Sequence, residues 1–163
     1  MKSFAFASTI ALSLIASAAS AQAVRTEKNM SLELANQIAA ATVASCSASG
    51  YNVTAAVVDR AGTLRALQRA DNAGPHTVGA AQGKAYTSAS ARNSTGAMLE
   101  NVQKNPGAAT LVDIPGFLVL GGGVPVKVGN EVIGAVGVGG APGGHLDEAC
   151  AQAGIAQVAE LLK

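Results

Sequence analysis

The sequence predicts an α+β fold: a central, mainly antiparallel, five-stranded sheet flanked by helices, in the order α-β-β-α-α-β-β-β-α. Three observations lead there. Met30–Ser49 carries apolar residues at three- and four-residue steps, the period of a helix packed on one side. Short β-branched runs flank the turn sequences Asp59-Arg60-Ala61-Gly62 and Gly129-Asn130, which is hairpin chemistry. Glycine and proline clusters break the chain between these units. Hairpins make neighbouring strands antiparallel, and the helices then cover the sheet.

The elements follow in order. The first helix, with Met30, Leu34, Ile38, Ala41 and Ala44 on its apolar stripe, has Asn29 as its expected N-cap and ends at Gly50. Asn52–Asp59 and Thr63–Arg69 form the first hairpin. After the breaker Asp71–Pro75, Pro75 suits the first position of a helix running to about Ala91. A shorter helix over Thr95–Gln103 stops at Asn105-Pro106-Gly107. Phe117–Leu120, Val124–Val128 and Glu131–Val138 read as three strands, and His145–Leu162 as the last helix. Glycine and alanine alternate with Val and Ile in Val132–Val138, so a helix, a ligand or another subunit can approach that backbone closely.

Residues 1–23 read as a signal peptide. Lys2 gives the positive start, Ile10–Ala19 the short apolar run, and Ala21-Gln22-Ala23 the small-x-small cleavage pattern. The run is shorter than the roughly 20 apolar residues a membrane span requires. Residues 24–163 are then one exported, periplasmic or secreted domain. Removing Lys2 from the 11 basic residues leaves a balance with the 10 acidic ones. With scattered charges and only Tyr51, Tyr86 and Phe117 as aromatics beyond the signal, nucleic acid and membrane are poor partners.

Cys46 and Cys150 fall near the end of one predicted helix and the start of another. Antiparallel packing of those helices would bring the sulfurs together, and an exported protein meets an oxidising compartment. Two buried, unbonded thiols remain the alternative.

His76 follows Gly74-Pro75 and His145 follows Gly143-Gly144, so both stand in the first turn of a predicted helix. The partial positive charge there favours neutral imidazole, the form that binds metal or haem iron, and the free N–H groups can receive a carboxylate. A plain capping or surface role is the alternative for each. A metal site would need His76 and His145 to converge with Asp147 or Glu148, which otherwise complement the helix dipole. Lys84, Tyr86 and Arg92 share one predicted helix, and Lys84 and Arg92 roughly one face, either as a carboxylate-holding pair or as a solvated surface. No dinucleotide fingerprint, Walker motif or Gly-x-Ser-x-Gly element occurs.

Several segments together resemble the GlcG/HbpS family, which includes the C-terminal domain of PduO-type proteins. They are Val57–Gly62, Gly83–Thr87, Gly121–Val126, Val132–Gly140 and Asp147–Ala151, in the family's order and spanning about Met30 to Leu162. The resemblance implies a profilin-like fold, a homo-oligomer (often an octamer) and, in several members, bound haem. The expectation is an exported small-molecule-binding protein with haem as cofactor, held by His76 or His145 with Lys84, Tyr86 and Arg92 as further binding residues. An enzyme acting on a small hydroxy or oxo acid, or an interaction module without ligand chemistry, are the alternatives.

Overall fold

The computed structural model describes residues 23–163. The expected signal segment lies almost wholly outside the described residues. The described residues form four α-helices and four strands: α1 (Leu32–Ala48), β1 (Thr54–Asp59), β2 (Leu64–Arg69), α2 (His76–Ala91), α3 (Thr95–Lys104), β3 (Gly123–Val128), β4 (Glu131–Gly139) and α4 (Gly144–Gln157). Short 3-10 turns cover Pro106–Asp113 and Ala159–Leu161.

The strands form one antiparallel sheet in the order β2-β1-β4-β3. The sheet has four strands, not five. Phe117–Leu120 has strand-like composition but makes no ladder, because its backbone finds helix side chains instead. Leu118 N donates to Thr87 Oγ1 at 2.7 Å, and Leu120 O accepts from Thr95 Oγ1 at 2.7 Å. With those groups satisfied, nothing drives the segment to pair as a strand.

Local chemistry accounts for the hairpin. Asp59 Oδ1 accepts from Ala61 N at 2.9 Å and Thr63 N at 3.0 Å, closing an Asx-type turn. Gly62 sits at φ +79°, and a side chain there would collide with the Tyr86 ring. The N-cap of α1 is Ser31, whose hydroxyl accepts from Leu34 N at 3.2 Å, and not Asn29. Asn29 Oδ1 is already engaged by Met30 N and by Arg60 N, tying the chain entry to the hairpin.

The two faces of the sheet are packed differently. On one face lie α1 and α4, with Ile38, Val57, Val126, Val136 and Val138 in the main core. The buried positions of α1 (Ala35, Ile38, Ala39, Thr42, Cys46) follow the helical period. Cys46 and Cys150 are bonded across the antiparallel α1–α4 pair, with Cα atoms 5.3 Å apart. Linking residues 104 positions apart stabilises the fold by on the order of 4 kcal/mol, chiefly by restricting the unfolded chain.

On the other face lies α2. Ala81, Ala85 and Ala89 recur every fourth residue and meet Ala135, Gly137 and Gly139 of β4. A Cβ on Gly137 would stand 2.1 Å from Ala81 O. The small residues of β4 therefore serve this helix. Its close seat fixes where both ends of α2 emerge, and the candidate site is at one of them.

Candidate functional site

Two helices begin without a side-chain cap. α1 and α3 open on Ser31 and Ser94, each accepting from the amide three residues on. By contrast, Pro75 before α2 and Gly143 before α4 supply no side-chain acceptor. Thr77 N and Leu146 N turn back on Gly74 O and Gly143 O at 3.0 Å, and Val78 N on Pro75 O at 3.4 Å, so the amides of His76, Gly144 and His145 are the ones that carry the partial positive charge of each start. Both starts border one cleft of about 300 Å³, with the Gly139–Gly144 loop between them and Lys84 and Asp147 in its wall.

His76 is exposed and lines this cleft and an adjoining one of about 340 Å³. His145 is also exposed and lines a different cleft of about 450 Å³, beside Leu99, Glu100 and Glu148. The two histidine clefts adjoin, because Leu120 and Gly144 line both. Leu120 is 46% exposed, an apolar ridge with an imidazole on either side. The sequence places Leu120 at the end of an expected strand and so gives it no site role; the leucine directly ahead of Gly121-Gly122-Gly123 is the available signal.

The convergence of His76 and His145 with Asp147 or Glu148 that a metal site would need is not found among the described residues. Among the described residues no three His, Cys, Asp or Glu side chains gather as a metal-binding group. Both nearby carboxylates have other work. Asp147 Oδ2 accepts from Lys84 Nζ at 2.8 Å and its Oδ1 from Ala141 N at 3.0 Å. Glu148 Oε1 accepts from Gly96 N at 2.6 Å, so it caps α3, and more weakly from Gly122 N at 3.4 Å.

Lys84 is not a surface cation. Its side chain is 3% exposed and that of Asp147 4%, and Lys84 Nζ also donates to Val138 O at 2.8 Å. The pair bolts α2, β4 and α4 together behind the cleft. Burial pushes the Asp147 carboxyl above the usual range, while the Lys84 hydrogen bond, the Lys84 charge and the Ala141 amide pull it back in part.

Tyr86 and Arg92 lie elsewhere. Tyr86 borders a cleft of about 420 Å³ with Leu64 and Gly116, its ring edge-on to Phe117 with centroids 6.2 Å apart. α2 ends at Ala91, and Arg92 turns off in the left-handed conformation (φ 54°, ψ 31°). The expectation that Lys84 and Arg92 share a face is therefore corrected: one points into the protein, the other leaves the helix. The five expected binding residues occupy several clefts, and only His76 and Lys84 line the same one.

This is an α+β protein with an antiparallel sheet between helical layers and a histidine-bordered double cleft at one sheet end. The chain belongs to the HbpS-like family, whose model, for haem degrading protein HbpS-like, matches residues 30–156. It is 37% identical to protein GlcG of Escherichia coli over 115 residues, which are 71% of this chain and 84% of that protein. A double mutant of HbpS from Streptomyces reticuli superposes with a TM-score of 0.78 at 35% identity, covering 94% of this chain and 98% of the other. PduOC, solved as a haem complex, shares the fold with a TM-score of 0.69 at 24% identity, covering 78% of this chain and 94% of that one.

Proposed function

We propose that this protein is an exported haem-binding protein, built on a profilin-like scaffold and assembled as a homo-oligomer, that seats haem on the ridge between His76 and His145. The observation that carries the reading is the exposed Leu120 shared by two adjoining clefts, each with one imidazole on its wall. The donor set fits the group. Imidazole is a common haem-iron ligand, an apolar ridge suits a porphyrin face, and the amides of His76, Gly144 and His145, which have no partner among the described residues, can receive a propionate. Bound haem would supply a redox-active iron. The protein's own part would be to hold the ring and orient it by its carboxylates.

Membership of the HbpS-like family supports this reading, as does the haem held by PduOC. The Cys46–Cys150 bond supports export, since such bonds persist in oxidising compartments. An enzyme for small hydroxy acids would hold a carboxylate beside its imidazole with Lys84, Arg92 or helix N–H groups. Lys84 is committed to Asp147 and Arg92 lines another cleft, so only the helix starts are left for that role, and family membership favours binding.

The test is a haem titration of the protein and of His76→Ala and His145→Ala, followed in the Soret band. A saturable shift, weakened about tenfold or more in one variant, is expected. A protein that gives no saturable shift ends the haem reading. Two variants that bind like the parent end the imidazole assignment.

A further inference from the structure

At the opposite end of β4 from the histidines, Lys28, Arg60, Arg92 and Lys127 line one cleft of about 570 Å³ around the Gly129-Asn130 turn. Four of the cations in a chain with 11 basic and 10 acidic residues are thus drawn from four separate segments to one place. One carboxylate, Glu131, lines the cleft with them, and it bonds Arg60. Arg60 also pairs with Glu27 at 3.3 Å. Among the described residues, Lys28, Arg92 and Lys127 have no carboxylate within ion-pairing distance. Gathering three uncompensated cations costs the free protein self-repulsion that a bound anion would relieve.

Arg92 adds an independent sign. It is the one non-glycine residue with positive φ among the described residues, at a helix end where glycine or asparagine is the usual occupant. Asn93 stands next in the chain, yet the left-handed position is held by arginine, which lines this cleft. Strain kept at a position that glycine would relieve suggests a function for the side chain.

We infer that this cleft binds a small polyanion carrying at least two phosphate or carboxylate groups, at a site separate from the histidine clefts. The Arg92 guanidinium fork and the ammonium groups of Lys28 and Lys127 match several anionic oxygens at once, with Arg60 held beside them by Glu131 and Glu27. No aromatic residue lines the cleft, so nothing there would stack on a nucleobase.

Calorimetric titration with pyrophosphate and, separately, citrate at constant ionic strength tests the inference. Saturable binding of either is expected, and the preferred probe tells phosphate from carboxylate recognition. Arg92→Gly should fold at least as stably as the parent, because glycine takes the left-handed conformation freely, yet bind about tenfold more weakly. Lys127→Gln should weaken binding in the same direction, while His76→Ala leaves it unchanged. Neither probe saturating, or Arg92→Gly binding as tightly as the parent, would overturn the proposal.

Discussion

Lys84 Nζ lies 2.8 Å from Asp147 Oδ2 although 63 residues separate them, with both side chains almost wholly out of water. The pair joins the helix that starts at His76 to the helix that carries His145. Its ionic character and its place behind the cleft make it the natural point to perturb.

Breaking the pair from one side should be costly and removing it whole should not. Lys84→Met leaves a buried carboxylate without its cation, and a loss of about 3–5 kcal/mol at neutral pH is expected. Lys84→Met combined with Asp147→Leu should recover most of that loss, since apolar replacement of a buried pair is often near neutral. Urea unfolding of the two variants and the parent measures this; a double variant no more stable than the single one would contradict it.

Asp147 should also leave a pH signature. Its carboxyl is raised in the folded state above the ordinary 3.8, with burial as the main cause. The folded protein therefore takes up this proton before the unfolded chain does as pH falls. The contribution of the group is fully present below the unfolded value and is lost as pH rises through the folded one. Relative to Asp147→Asn, the parent should gain stability as pH is lowered through that window. Paired denaturation curves across the acid range read the difference, and a gap that is flat or shrinks on acidification would refute it.

Two glycines should respond in opposite directions. Gly137→Ala places a Cβ against Ala81 O and Ala85 N, pushes α2 from the sheet, and should cost about 1–3 kcal/mol. Gly79 lies within α2 and a Cβ there meets nothing within 4 Å. Gly79→Ala should therefore stabilise by up to about 1 kcal/mol through helix propensity. Thermal melts of both variants provide the measurement.

What the sequence disclosed was mainly local. The hairpin at Asp59–Gly62 and the turn at Gly129-Asn130 were readable because a short polar side chain or a glycine decides such turns within a few residues. Phe117–Leu120 was misread because its composition suits a strand, while its hydrogen-bond partners, Thr87 and Thr95, lie at least 25 residues away. Lys84 is legible as a helix residue, but its sequence context offers only a carboxylate-holding cation or a solvated face, and it is neither. Only the three-dimensional approach of Asp147 and Val138 O shows it engaged. The histidines were rightly put at helix starts, as α2 beginning at His76 and α4 at Gly144 show. Their relation through Leu120 depends on how α2 and α4 meet across the loop, which no spacing along the chain encodes.

The sulfur link between Cys46 and Cys150 turns everything between those residues into a covalent ring. The exposed Asn105–Gly107 stretch lies within that ring. A protease that nicks it therefore releases no fragment. The pieces stay attached until a reductant opens the ring, so damage in an oxidising environment need not cost this protein its assembled shape.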